Sequence, residues 1–230
     1  MKITTLSKTG PMSRVFHVQI KDSYDLALTF LRMQEWYESP KFRHKNFTMQ
    51  EYMRWYAKGK GKGNFTYMTD WSGFNVPSTA VEAVMNMNLH VGWDGDWSRL
   101  EYELFDKLMA RGLVGTPKPY NREFAPGGRK NFEVRAPFYL IGTSKDEDLR
   151  HEAAHGRFFV DPAYKRKVTA ILQSNTKAHA PLRRHLLTMG YCLATLYDEV
   201  HAYILDSLPS SVRTTKPLLA MRKELRALWP

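Results

Sequence analysis

The sequence predicts an α+β fold that is mostly helical. Three observations predict it. Amphipathic runs with their own start and stop signals recur along the chain. Strand-like stretches are short and cluster near the N-terminus and the middle. Neither an internal repeat nor a low-complexity segment interrupts the pattern.

The elements follow in order. "VFHVQI" (15–20) alternates and reads as a strand, and "SYDLALTFLRMQEWYES" (23–39) has helical spacing and stops before Pro40. Thr48 and Glu51 form a Thr-x-x-Glu capping box, so 47–58 is a second helix. The stretch 59–78 reads as a glycine-rich loop, a short strand and a turn, and Ser78 opens a helix over 78–88. The segment 96–113 is a strong amphipathic helix, with Leu100, Leu104, Leu108 and Met109 on one face and Gly112 near its end. The segment 114–136, rich in Pro, Gly and basic residues, is the loop or lid candidate and the internal boundary. It divides an α+β part, 1–135, from a helical part, 136–230, within one compact unit.

"PFYLIGT" (137–143) is a short apolar strand. Ser144 and Glu147 form a second capping box, which starts a helix at Lys145 with Asp146, Glu147 and Asp148 in its first turn. That helix stops near Val160. Asp161 caps the next one, with Pro162 at its first position. A helical run over 181–207 is interrupted at Gly190, and a last helix covers 216–229.

Composition bounds the function. At 230 residues and 43% hydrophobic, the chain can bury a real core without staples. Its single cysteine, Cys192, excludes an intrachain disulfide and a Cys-based zinc site. There is no leader-like apolar run and no membrane-length apolar stretch, so a soluble cytoplasmic protein is expected. The net charge of +11 admits a polyanionic partner. Lys165, Arg166, Lys167, Arg183 and Arg184 lie in a stretch free of acids, between Asp161 and Asp198. They form either a nucleic-acid-binding face or an ordinary solvated one.

The chemistry concentrates in "DLRHEAAHGRFF" (148–159). His151 and His155 stand four apart on one helix, so both imidazoles reach one ion. Glu152 sits about 100° round from His151, where it can address a water on that ion. A bound Zn²⁺ lowers the pKa of its water towards neutrality, and a carboxylate then takes the proton. A chance match is rare, at roughly 0.01–0.02 per chain of this composition.

A third ligand comes from "LATLYDEVHAYILD" (193–206). Leu196, Val200, Tyr203 and Ile204 define an apolar face, and Glu199 falls on it, whereas Asp198 points away towards His201 and Leu205. A carboxylate on a core stripe needs a partner, either a metal ion or an arginine. For the oxyanion, Tyr203 and His201 are the candidates, Tyr203 also reading as a core aromatic. Asp148 and Asp206 are candidate acceptors for the ligand imidazoles.

With these residues on a helix that follows a short strand, 137–206 resembles the zincin metallopeptidases of the glutamate-liganded, gluzincin type. The resemblance implies a zincin-like core with a short sheet packed against the active-site helix. It implies Zn²⁺ held by His151, His155 and Glu199, Glu152 as general base and acid, and the strand at 137–143 bordering the cleft. No third histidine follows His155 at six residues, as a metzincin requires. "DEVHAY" departs from the usual pattern around the third ligand. The expected function is a zinc-dependent hydrolase, most simply a peptidase with a polypeptide substrate. The alternative is a basic nucleic-acid- or protein-binding protein with a zincin-like shell and a structural or absent metal.

Other motifs carry less. "GKGKGN" lacks the P-loop order. Trp71, Phe74, Trp93 and Trp97 lie among turn residues, Asp94-Gly95-Asp96 lacks the calcium-loop order, and Cys192 reads as a buried helical thiol.

Overall fold

The computed structural model describes residues 1–71, 73–87, 97–115, 132–145 and 149–229. Among them the chain is α+β and mostly helical. β1 (Lys2–Thr5) and β2 (Val15–Gln19) flank a single 3-10 turn. Then come α1 (Ser23–Glu38), α2 (Met49–Gly59), α3 (Tyr67–Asp70), β3 (Gly73–Pro77), α4 (Ser78–Met87) and α5 (Arg99–Ala110). A two-residue pair follows, β4 (Val114–Gly115) with β5 (Glu133–Val134), and then β6 (Tyr139–Thr143). The C-terminal part is helical: α6 (Leu149–Val160), α7 (Pro162–Ser174), α8 (Ala180–Met189), α9 (Leu196–Leu205) and α10 (Lys216–Ala227). None of the described helices is long and apolar enough to cross a membrane.

The main sheet has the order β1-β2-β6-β3, with β2 and β6 parallel and the outer pairs antiparallel. Strand alternation gives it two apolar faces. Phe16, Val18, Leu140, Phe74 and Val76 join the core built with α1, α4 and α5. Val15, Tyr139 and Ile141 point the other way, onto Ala153 and Val160 of α6. Behind α6, the helices α7 to α10 form a second core around Val168, Leu186, Val200 and Met221. The strand that follows the expected boundary, β6, is thus hydrogen-bonded between two strands of the first part.

Local signals explain most boundaries. Both side-chain and backbone halves of the Thr48–Glu51 capping box are made, and Asp161 caps α7 by accepting from the Tyr164 N–H. Gly190 ends α8 in the left-handed region at φ 99°, which separates α8 from α9. Gly156 allows α6 to lie on the sheet, because a Cβ there would stand 2.7 Å from Val15 Cγ1.

Five expectations are corrected. The strand within 59–78 follows the turn instead of preceding it, since "YMTD" forms the helical turn α3. β1 carries no sequence signal because only Ile3 is buried, and its strand state is imposed by pairing with β2. Cys192 lies half-buried in the connector between α8 and α9, not on a helix. Ser98 and Glu101 form a capping box that fixes the start of α5 at Arg99. The helix expected to start at Lys145 does not include that residue, which lies in a bend, and α6 is described from Leu149; the acids at 146–148 lie outside the described residues. So do Trp93, Asp94-Gly95-Asp96 and most of the lid candidate.

Candidate metal centre

α6 and α9 pack directly against each other, and their facing side chains build the site. His151 and His155 are one helical turn apart, and their Nε2 atoms stand 3.3 Å from each other. Glu199 Oε2 lies 3.8 Å from His155 Nε2. One ligand atom from each of His151, His155 and Glu199 can be chosen so that all lie within 4.8 Å of one another. Zinc bonds of about 2.0–2.1 Å in a tetrahedron set neighbouring nitrogens about 3.3–3.4 Å apart, which the two imidazoles already match.

The donor set fits a divalent metal on a second count. Glu199 is 2% exposed, and its Oε2 has no hydrogen-bond partner. A buried carboxylate oxygen without a partner is costly, and a metal ion is the partner that two imidazoles beside it would share. Burial pushes Glu199 above the ordinary carboxylate range, with Asp198 and Glu152 adding to the rise and His155 opposing it. Burial also drives His151 down to about 3, helped by its neighbour His155, which favours the neutral ligand form.

Asp198 corrects the sequence reading. It does not point away from the site: its Oδ1 lies 3.0 Å from His155 Nδ1 and 3.8 Å from His201 Nδ1. The first is an ion-pair contact off the straight hydrogen-bond line. Burial raises the Asp198 carboxyl, but the His155 and His201 imidazoles outweigh it and hold it down at about 2. Burial lowers the His155 imidazole, but the Asp198 and Glu199 carboxylates outweigh it and raise it well above the ordinary range; an acceptor at Nδ1 would leave Nε2 as the lone-pair side once a metal ion took the place of its proton. Asp206 lines the cleft and accepts from Ser207 Oγ, and Asp148 is outside the described residues, so neither is seen in the orienting role expected of them. His201 is fully buried, with Nε2 2.8 Å from the Tyr164 hydroxyl, and does not line the cleft. It is therefore withdrawn as an oxyanion donor.

The centre opens on a cleft of about 290 Å³ between α1, β3, α6 and α9. Glu152 reaches across it to β3, where a Cβ on Gly73 would stand 2.6 Å from Glu152 Oε1. Tyr203 lines the cleft half-buried, its ring 4.7 Å from that of His151 and its hydroxyl bonded to Tyr191. The bordering strand is β3, through Gly73, Phe74 and Asn75. β6, expected there, lies one strand further in, between β2 and β3. α1 supplies the opposite wall with Gln34, Glu35 and Glu38.

Sequence reasoning missed that α1 wall. One signal was present. Glu35 and Glu38 occupy the last turn of α1, the end at which the helix dipole disfavours carboxylates. Of the expected basic face, Lys165, Arg166, Lys167 and Arg184 are exposed and Arg183 is half-buried. Lys165 also sits 4.9 Å over the Phe158 ring and Arg183 5.9 Å over Tyr197, so both cover apolar surface.

No family model, curated protein or solved structure matches this chain.

Proposed function

We propose that this chain is a zinc-dependent hydrolase, acting on polypeptide, with a zincin-like core. The observation that carries the reading is the buried, unpartnered Glu199 Oε2 beside two imidazoles whose Nε2 atoms are already at ligand spacing. His151, His155 and Glu199, all of which line the cleft, would hold the ion. When bound there, Zn²⁺ supplies Lewis acidity and brings the pKa of water towards neutrality. Glu152 then takes the water's proton and returns it to the leaving nitrogen. Tyr203, beside His151, donates to the carbonyl oxygen as charge develops on it. Asp198 holds the His155 tautomer. The outer strand β3 supports a polypeptide substrate, because an extended chain can add to a sheet edge. A helix packed under a mixed sheet with an antiparallel outer strand supports the zincin-like core. A lone free cysteine suits the reducing cytoplasm, which is part of the same proposal.

The test is metal content and turnover together. The purified protein should carry about one zinc per chain by elemental analysis. Glu152→Gln should keep that zinc and lose peptide hydrolysis by about 10²–10⁴-fold. Full activity in Glu152→Gln, or no zinc uptake by the wild type, would remove the reading.

A second reading is favoured by the exposure of Lys165, Arg166, Lys167 and Arg184: a polyanion-binding protein in which the metal is structural or absent. Under it, binding of a short nucleic-acid duplex should weaken steeply with salt and depend on those residues. A flat salt response would exclude it.

A further inference from the structure

The cleft is closed at one end. β3 is the outer strand of the described sheet, and the Asn75 N–H faces off that outer edge, where the Gln34 side-chain oxygen accepts it at 3.1 Å. Gly73, against which Glu152 rests, presents its backbone on the same outward side, two residues earlier. Two strand residues span about 7 Å. An extended chain laid along β3 over Glu152 therefore meets Gln34 within about one pleat of the reacting bond, whichever way it runs. Only a chain end fits there.

The chemistry of the closed end says which chain end. The same Gln34 amide donates to Glu38 Oε2 at 2.6 Å, so Glu38 stands at the block. Glu35 and Glu38 lie at the negative end of the α1 dipole. Neither lysine nor arginine is among the described residues lining the cleft, in a protein of net charge +11. Lys60, over the Trp71 ring, offsets Glu35 rather than Glu38. Glu38 and Glu152 line the cleft beside Glu199, so an ion held by His151, His155 and Glu199 leaves two further carboxyl groups on the walls. Two buried polar atoms of the walls, Glu199 Oε2 and Trp71 Nε1, also lack partners, as expected of a surface shaped for a ligand.

We infer that the cleft takes the free amino terminus of a polypeptide, the α-ammonium held at the closed end by Glu38, so that the chain is an aminopeptidase. The inference rests on the hydrolase reading above. Water adds its oxygen to the first carbonyl carbon and the C–N bond breaks. The water's proton passes through Glu152 to the leaving amine, giving a free amino acid and a chain one residue shorter.

The test uses the zinc-loaded full chain with three peptides of one core sequence: free at the N-terminus, N-acetylated with alanine first, and N-acetylated with lysine first. Stepwise release from the free peptide, at least 100-fold faster than cleavage of either acetylated one, is expected. Cleavage of the lysine-first acetylated peptide but not its alanine twin would assign the cation to a side chain and overturn the inference. Equal internal cleavage of all three would overturn it while leaving the hydrolase reading intact. No cleavage of any, with zinc bound, would sink both.

Binding gives an independent readout. Zinc-loaded Glu152→Gln should bind leucinamide but not N-acetyl-leucinamide by calorimetry, and adding Glu38→Gln should weaken leucinamide at least tenfold without changing zinc content. Unchanged affinity would overturn the role of Glu38. Should Glu38→Gln fail to fold, Gln34→Ala serves instead: it should open the strand edge and raise internal cleavage of the acetylated peptides. No rise would remove the block.

Discussion

Two buried charged clusters sit on opposite sides of α1, and they are built on opposite rules. Arg32 and Glu101 are both fully buried and meet at 3.0 Å. Every neighbour completes the pair: Glu101 also caps α5 by accepting from the Ser98 N–H at 2.6 Å, and Arg32 reaches the Phe47 carbonyl. Burial pushes the Glu101 carboxyl up, and the Arg32 guanidinium pulls it back. The second cluster, His151, His155, Asp198 and Glu199 with Glu38 nearby, holds carboxylates in excess and leaves Glu199 Oε2 without a partner. A closed pair is a structural joint. An open cluster, under the reading proposed above, is a receptor for something the chain does not carry.

The largest expected effect breaks the closed joint. Arg32→Met should destabilise the fold by about 3–5 kcal/mol, because it strands Glu101 in the core. Urea unfolding measures it, and a loss below 1 kcal/mol would deny that the pair is structural. Next in size is the gain from filling the open cluster. Zinc at about a thousand times its dissociation constant should stabilise the native state by about 4 kcal/mol. His155→Ala should abolish that shift in thermal unfolding while Arg32→Met retains it, so a zinc shift that survives His155→Ala would place the metal elsewhere.

A smaller effect separates ligand from orienter. Asp198→Asn should keep the zinc site but weaken it by about 10–100-fold, since the imidazole it holds stays while its acceptor loses charge. Competition with a chelator reads this directly. A loss as complete as that of His155→Ala would make Asp198 a ligand itself.

Of the two clusters only the open one was legible in part; Arg32 and Glu101 lie 69 residues apart and were not read as a pair. His151, His155 and Glu199 could be read because each lies on an element whose register is set locally: two on one helix turn, one on an apolar stripe. Asp198 was misplaced by the same rule, because it sits beside Glu199 on α9 and yet also faces α6 across a tight helix contact. Gln34, Glu38 and Asn75 come from α1 and β3, more than 70 residues before His151. Only the packing of those elements against α6 makes them neighbours. For the fold, helix limits followed from caps such as Thr48 and Asp161. β1 did not, because its state depends on a partner strand.

The last expectation concerns sign. Glu199→Gln should leave the metal-free protein at least as stable as the wild type, because burial and the neighbouring carboxylates already push Glu199 up towards its neutral form, and the amide carries no charge to bury. The matched change on the other side of α1, Glu101→Gln, should destabilise, because it leaves the Arg32 guanidinium without its counter-charge. Zinc should reverse the order at the first site, since Glu199→Gln forfeits a metal ligand and with it the metal's stabilisation. Unfolding of the two variants and the wild type, with zinc and with chelator, gives the comparison in one series. Destabilisation by Glu199→Gln in chelator, equal to that by Glu101→Gln, would mean that Glu199 is already satisfied in the fold and that the cluster is a second joint.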